Sequence, residues 1–314
     1  MLSRRNVRVK VMQVLYALNR DQPTGDVLKS ALQHYSSMVA DSYNLYLFNL
    51  LAFMRVAAYA QQDKIRRQGK LRPTDADTNF SDKLASNSLM LSLHKNFLLT
   101  TALGRAKTGQ QLDADLIRNL YVEFAKDEEY KKYVYESEET TEKEHIAIYL
   151  ALYKFLINNE TFISMAEDHF PLWADDKSLV VGAMKKTIKA LPADPDFLDK
   201  YLPQEETIKQ FGEQLLSKVL DSDEELLGVI EPSLNNWDAD RVAILDMIIL
   251  KMALSEFLYF ASIPTKVTLN EFVDISKLYS TDKSKDFVNG ILDRLLKKLT
   301  EDGLISKQGR GLKD

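Results

Sequence analysis

The sequence contains no cysteine in its 314 residues. This absence excludes disulfides, thiolate metal sites and cysteine nucleophiles, and it is typical of a protein from a reducing compartment. No run of the chain approaches 18 consecutive apolar residues, so we expect no membrane-spanning helix. Lys10 and Gln13 interrupt the apolar residues near the start. This interruption argues against a secretory signal and predicts a cytoplasmic protein.

Glycine and proline are scarce, at 11 and 8 residues. Residues 26–67 contain neither and are rich in Leu, Ala, Tyr and Phe, which predicts one very long helix or two abutting helices. Two prolines in residues 191–196 predict a hinge, since they cannot lie inside a helix. The remaining 3.6-residue periodicity predicts helices near 81–103, 111–126, 141–158, 160–170, 175–190, 204–220, 223–235, 239–260, 265–279 and 282–302. With no persuasive strand, the sequence predicts an all-α fold.

Catalytic and cofactor motifs are also missing. The four histidines are scattered, and the residues Glu142 and His145 match one half of a di-iron carboxylate motif whose second half does not occur. There is no phosphate-binding glycine loop, dinucleotide fingerprint or nucleophile elbow. We therefore predict a protein that is not an enzyme and that has no cofactor, metal site or catalytic residue.

Charge is distributed unevenly along the chain. The net charge is −5, yet the first twenty residues carry five basic residues and no acidic one. From Lys283 to the end, eight basic residues outnumber five acidic ones. The ends are basic and the middle is acidic, which is compatible with a nucleic-acid surface at the terminal helices.

Residues 263–293 carry the most specific pattern. Pro264 stands where a helix starts, a position at which its missing N–H has no cost. Asn270 and Glu271 lie beside apolar positions, where a buried polar pair must find partners. Gly290 inside a helix costs about 1 kcal/mol relative to Ala, which predicts close approach of another helix or a ligand backbone. Two successive helices present apolar stripes, formed by Val267, Phe272, Ile275 and Leu278 and by Phe287, Val288, Ile291, Leu292 and Leu295.

These residues resemble the signature of the NusB family. The family patterns "iP…V.iNEav.lak" and "s.kFVNGvLd" occur here as Ile263-Pro264, Val267, Asn270-Glu271, Lys277, Ser284 and Phe287-Val-Asn-Gly-Ile-Leu-Asp. Further matches upstream are Trp237, Arg241, Asp246, Ile249-Leu250 and Glu256. The family's arginine-rich first helix is matched by Arg4-Arg5, Arg8 and Gln13-Val-Leu-Tyr16. The resemblance covers about residues 3–20 and 204–302.

The resemblance implies two paired three-helix bundles, here with an additional helical insertion. We expect the first core helix at 1–20, the insertion at 21–200, the rest of the core at 201–305 and a basic tail at 306–314. Residues 167–176 and 231–240 share a Glu, a Trp and a final Asp at equal spacing. A degenerate partial duplication and a chance likeness of two helix corners both remain open.

The resemblance also implies a function. Members of the family bind the boxA element of ribosomal RNA leaders together with the ribosomal protein NusE, and the complex joins the elongating RNA polymerase to suppress termination. Because family members can self-associate, a homodimer is open as well. The alternative is a helical protein–protein adaptor that keeps the NusB fold, has lost RNA binding and has its partner surface held by the insertion.

Single-stranded RNA is held by cations that bind phosphates and by planar groups that stack on bases. The candidate RNA-binding residues are Arg4, Arg5, Arg8, Lys283, Ser284, Lys285, Phe287 and Asn289. The three arginines could instead form an ordinary solvated helix start, and Phe287, like Tyr16, could belong to the core. Asn289 reads a base edge or caps a helix, and Trp237 is expected to form a structural corner. Two positions depart from the family pattern. Lys251 stands where the family usually has an arginine, and Lys283 stands where the family often has an acidic residue.

Overall fold

The structure is a computed structural model that describes residues 1–21, 25–136, 139–234 and 241–307. Throughout these ranges the regular structure is helical and contains no strand, which confirms the predicted all-α class. No helix in the described ranges combines the length and the apolar character that crossing a membrane requires. The α-helices are α1 Arg4–Asp21, α2 Val27–Gln68, α3 Asp75–Thr78, α4 Lys83–Ser86, α5 Ser88–His94, α6 Phe97–Arg105, α7 Ala114–Phe124, α8 Glu128–Tyr135, α9 Glu142–Leu156, α10 Glu160–His169, α11 Trp173–Lys189, α12 Gln214–Asp221, α13 Asp223–Ile230, α14 Ile244–Tyr259, α15 Thr265–Tyr279 and α16 Ser284–Glu301.

The chain divides into two compact units. Unit 1 consists of Met1 and Ala40–Leu202, and unit 2 consists of Leu2–Val39 and Pro203–Asp314. Helix α2 is one continuous helix of 42 residues, about 63 Å long at 1.5 Å per residue. It ends at Gln68, directly before Gly69, because a glycine followed shortly by a proline favours termination. Its residues up to Val39 belong to unit 2 and the later ones to unit 1.

Unit 1 has a core rich in aromatic side chains. The rings of Phe53 on α2 and Tyr149 on α9 pack edge to face, with their centroids 5.4 Å apart. The buried hydroxyls of Tyr149 and Tyr153 have partners, since Tyr149 donates to the Leu84 carbonyl at 2.9 Å and Tyr153 to Oδ1 of Asn49 at 3.1 Å. Because an unpaired buried hydroxyl costs free energy, these pairs let the core contain tyrosine.

Two asparagines divide the region that was predicted as one helix at 81–103. The side chain of Asn87 accepts from the N–H groups of Leu89 and Met90, and that of Asn96 accepts from Leu99. Each asparagine thereby satisfies donors at the start of a new helix, so three short helices replace one. The prediction of a single helix was wrong because these caps compete with helix continuation. Helix α11 ends at Lys189, and residues 190–198 form no helix, as the two prolines predict.

Unit 2 is built around α14, which packs against α1, α12, α13, α15 and α16. Residues 248–250 and 252–257 are buried and cover every side of the helix, and its composition is apolar, as expected of a central helix. A π-helical segment, Glu206–Glu213, leads directly into α12. In α1 the residues Val7, Val11, Val14 and Leu15 are buried and recur at the spacing of one helix face.

The predicted apolar stripe of α15 is correct at two positions and wrong at two. Phe272 and Ile275 are fully buried, whereas Val267 is 43% exposed and Leu278 66% exposed. At 100° per residue, Val267 and Leu278 lie about 140° and 120° away from Phe272 around the helix. The buried face is completed by small polar residues instead, Thr268 and Ser276, both at 0% exposure.

The predicted close approach at Gly290 is also corrected. A Cβ at Gly290 would meet no atom of the described residues within 4 Å. The close contact occurs at Gly212 in the π-helical segment, where a Cβ would overlap the hydroxyl of Tyr35 and lie 2.7 Å from Cγ1 of Val7. Tyr35 crosses this glycine and donates to the Ile208 carbonyl at 3.1 Å. Gly212 therefore lets α1, α2 and the π-helical segment meet.

Candidate nucleic-acid interface

Arg4 and Arg5 lie in the first turn of α1 and are partly open to solvent. Their side chains are 41% and 40% exposed. A nitrogen of Arg4 lies 3.2 Å from Oε1 of Glu206, and one of Arg5 lies 3.2 Å from Oδ2 of Asp274. Exposed ion pairs contribute at most about 1 kcal/mol, so a phosphate can compete for either guanidinium.

Arg8 has a different environment. It is 2% exposed and forms a two-pronged pair with Glu256 on α14, with Nε 2.8 Å from Oε2 and Nη2 2.7 Å from Oε1. The hydroxyl of Thr268 also donates to Oε1 of Glu256 at 2.6 Å. The Arg8 guanidinium lies over the rings of Phe211 and Phe272, at 5.1 and 5.7 Å from their centroids. Arg8 is thus enclosed by the core, where it joins α1 to α14.

Ser284, the first residue of α16, is likewise buried and bonded within unit 2. Its hydroxyl donates to Oδ2 of Asp246 at 2.7 Å, and that of Ser280 donates to Oδ1 of the same carboxylate at 2.6 Å. Helices α13 and α16 begin without side-chain caps. The structure places Ser222 and Lys283 at the N-cap positions, and neither side chain forms a capping hydrogen bond. The hydroxyl of Ser284 instead fastens the start of α16 to α14.

The other candidates on α16 lie nearer the surface. Lys283 and Lys285 are exposed on either side of Ser284, at the start of an 18-residue helix. The free N–H groups and the positive end of the helix dipole favour an anion there. Phe287 and Asn289 are partly buried, and the amide nitrogen of Asn289 lies 3.3 Å from Oδ2 of Asp293.

A groove of about 700 Å³ lies between α1 and the connection from α15 to α16. Tyr16 is partly buried in its wall, and its hydroxyl accepts from Nη1 of Arg20 at 3.3 Å. Tyr16, which the sequence analysis considered as a core residue, lies at the border between core and groove. The groove is lined by Met12, Gln13, Tyr16, Ala243, Ile244, Leu245, Tyr279, Ser280 and Thr281. The helical spacing of Gln13 and Tyr16 was the available signal for this groove.

Two sequence interpretations concern residues outside the described ranges. Trp237, expected to form a corner, lies outside them, as does the second half of the 231–240 segment that echoes residues 167–176. In the segment 167–176, Trp173 begins α11 and is 1% exposed.

Comparison with known proteins identifies the family. The model of the NusB family matches residues 181–297. A transcription antitermination protein NusB from Salinibacter ruber is 39% identical over 111 residues, which are 35% of this chain and 69% of the relative. A NusB protein from Chloroherpeton thalassium is 39% identical over 106 residues, 34% of this chain and 50% of the relative. One from Natranaerobius thermophilus is 38% identical over 92 residues, 29% of this chain and 66% of the relative.

No solved structure matches the chain. The matched segment contains α12 to α15 and most of α16, so it includes the helices that carry Glu256, Asp246 and Ser284. With more than two thirds of the Salinibacter relative covered at 39% identity, the chain belongs to the NusB family.

Proposed function

We propose that the protein is a transcription antitermination factor that binds boxA-like RNA of ribosomal RNA leaders together with a NusE-type ribosomal protein. The observation that carries the proposal is the identity with relatives named transcription antitermination proteins. The family match at residues 181–297 includes the part of the candidate interface on α16 and does not include Arg4 or Arg5. The protein would join the elongation complex indirectly, in the cytoplasm, and would perform no catalysis.

The exposed cations are the groups that would hold phosphate. Arg4 and Arg5 would exchange weak pairs with Glu206 and Asp274 for contacts to the RNA backbone. An arginine fork matches phosphate oxygens in two-pronged geometry, and it also stacks on bases. Lys283 and Lys285 would add charge at the start of α16, where the helix dipole acts in the same direction.

Arg8 and Ser284 would act as positioning residues within this interface. Arg8 holds α1 against α14 through Glu256, and Ser284 holds α16 against α14 through Asp246. Both side chains are buried, so an RNA contact would require each to leave a buried partner. We therefore propose that the direct contacts come from their exposed neighbours.

The groove beside Tyr16 has the size and lining of a site for an unstacked base. Its volume of about 700 Å³ is within the range of small-ligand sites, and its lining combines apolar and hydroxyl-bearing residues. An aromatic wall stabilises a base by roughly 1–3 kcal/mol through stacking. Phe287 and Asn289, about one turn and one and a half turns into α16, would contact the neighbouring nucleotides.

Fluorescence anisotropy tests the proposal. A boxA-like RNA from the host's ribosomal leader is compared with a scrambled RNA, with and without the NusE-type protein. We expect selective binding that the partner tightens and that the Arg4→Ala/Arg5→Ala variant weakens. Arg66→Ala/Lys132→Ala, which removes two exposed cations from unit 1, is the matched control and should bind like the parent.

The alternative function predicts a different outcome. If the protein shows no preference for boxA-like RNA in the presence or absence of the partner, the adaptor hypothesis is favoured. The pairing of Arg4 and Arg5 with carboxylates of unit 2 is compatible with that alternative, because both guanidinium groups already have partners. Size-exclusion chromatography of the same samples reports whether the protein forms a homodimer that the ribosomal protein dissociates.

A further inference from the structure

Unit 1 exposes an aromatic ring at the start of α6. Phe97 is 79% exposed and the adjacent Leu98 is 40% exposed, whereas Leu99 is buried at 1%. Seven residues later, a Cβ at Gly104 would meet no atom of the described residues within 4 Å. Residues seven apart lie on the same helix face, so Phe97 and Gly104 form one open face.

The backbone beneath Phe97 is firmly held. The Asn96 side chain is 6% exposed, accepts from the Leu99 N–H at 2.9 Å and donates to the carbonyls of Asp194 and Pro195 at 3.1 and 3.2 Å. This network ties the first turn of α6 to the segment after α11. The exposed ring therefore projects from a fixed support, which lowers the entropy that a ligand contact would cost.

Along the chain, basic residues lie on both sides of this ring. Residues 83–112 contain four basic residues and no acidic one, in a chain whose net charge is −5. Lys95, Arg105 and Lys107 are exposed, and none forms an ion pair within the described part of the chain. Lys95 lies two residues before Phe97, and Arg105 lies about 12 Å along the helix from it at 1.5 Å per residue.

Lys107 adds a second unusual feature. Its φ of 51° places it in the left-handed region, where it is the one non-glycine residue with positive φ among the described residues. Arg55 on α2 holds the following loop by donating to the carbonyls of Gly109 and Leu112, each at 3.3 Å. A glycine would adopt this backbone without strain, whereas a lysine does so at a cost in free energy, a feature that occurs often at functional sites.

An anionic, planar ligand fits these observations better than a protein. Exposed aromatic rings interspersed with unpaired cations are typical of surfaces that bind single-stranded nucleic acid. The buried centres of protein interfaces are depleted in lysine, and two of these three cations are lysines. We define the α6 surface as Lys95, Phe97, Leu98, Arg105 and Lys107. Its composition is that of a surface that binds single-stranded nucleic acid.

We propose that the α6 surface binds single-stranded RNA, with a base stacked on Phe97 and the backbone phosphates held by Lys95, Arg105 and Lys107. It would be a second RNA contact, additional to the interface in unit 2. The proposal extends the proposed function by giving unit 1 a share in the same transcript. It does not require the RNA bound there to have the boxA sequence, because stacking and phosphate contacts are tolerant of sequence.

Three RNAs separate this proposal from the function of unit 2. Binding is measured by anisotropy with a short RNA that holds the boxA-like element, a long RNA that extends it by single-stranded sequence on both sides, and oligouridine. Phe97→Ala and Arg105→Glu/Lys107→Glu are compared with Leu71→Ala and Lys132→Glu, which change an exposed apolar residue and an exposed cation elsewhere in unit 1. Circular dichroism verifies that every variant is folded.

We expect Phe97→Ala to weaken binding of the long RNA and of oligouridine by about five-fold or more, the lower range of one stacked base. The short RNA should bind all variants equally. If the protein does not prefer boxA-like RNA but Phe97→Ala still weakens oligouridine binding, the α6 proposal is supported and the function proposed for unit 2 is contradicted. If all three RNAs bind the α6 variants like the parent, the proposal is overturned, and an acidic protein becomes the ligand to seek.

Discussion

Arg8→Ala is the substitution whose effect follows most directly from the structure. It removes a guanidinium that makes two hydrogen bonds of 2.8 and 2.7 Å to Glu256, a carboxylate at 0% exposure. The hydroxyl of Thr268 still donates to that carboxylate at 2.6 Å. Truncating one partner of a buried pair costs about 3–5 kcal/mol because the other charge stays buried without compensation. This is a large part of the 5–15 kcal/mol typical of a folded protein.

Urea unfolding followed by circular dichroism measures the loss of unfolding free energy. We expect a lower midpoint and an unchanged slope of the free energy against urea concentration. Arg4→Ala is the matched control in the same helix, since its partner Glu206 is 71% exposed and the pair should contribute less than about 1 kcal/mol. The double variant Arg8→Met/Glu256→Leu should lose less than the sum of the single variants, because both charges leave together. An Arg8→Ala loss no larger than that of Arg4→Ala would refute the buried-pair reasoning.

Three further predictions concern other parts of the chain. Gly212→Ala should lower the unfolding free energy by about 1–3 kcal/mol through overpacking against Tyr35, as urea unfolding would show, whereas an unchanged midpoint would contradict the contact. Burial, helped by the charge of Lys83, lowers the pKa of His145, whose Nδ1 lies 2.7 Å from the Tyr133 hydroxyl. Below pH 6.5 His145 therefore binds a proton more readily in the unfolded chain than in the folded protein, and the unfolding free energy should decrease as the pH falls. His145→Gln should make this decrease smaller. Equal pH profiles of the parent and the variant would contradict a contribution of His145. Lys107→Gly should raise the thermal midpoint by relieving about 1–2 kcal/mol of left-handed strain, and a lower midpoint would contradict the strain.

The helical class and the longest helix could be predicted because their signals are local. Residues 26–67 lack every strong helix breaker, so α2 runs unbroken as one of the two options predicted. The division of residues 81–103 was missed because Asn87 and Asn96 act through side-chain caps, which the apolar period does not reveal. The cap and the period are competing signals in the same segment, and there the cap prevailed.

The candidate site was harder to predict because a charge in a motif does not reveal its burial. Nothing in the sequence distinguishes Arg4, Arg5 and Arg8. Of these three, only Arg8 faces α14, where it donates hydrogen bonds to Glu256. The glycines illustrate the same limit. Gly290 stands within the family motif and faces open space, whereas Gly212 accommodates a crossing tyrosine that comes from a distant part of the chain. Which helix crosses which residue is a tertiary property, and no periodicity encodes it.

The salt dependence of binding to boxA-like RNA tests the central claim most directly. We would compare the parent with Arg4→Ala/Arg5→Ala/Lys283→Ala/Lys285→Ala, which changes four exposed or partly exposed cations and leaves Arg8 and Ser284 in place. Each phosphate contact to a single strand contributes about 0.7 to the slope of log K against log salt. If all four cations bind phosphate, the slope should flatten by roughly 3. An unchanged slope, with the variant folded, would contradict an RNA interface at the starts of α1 and α16.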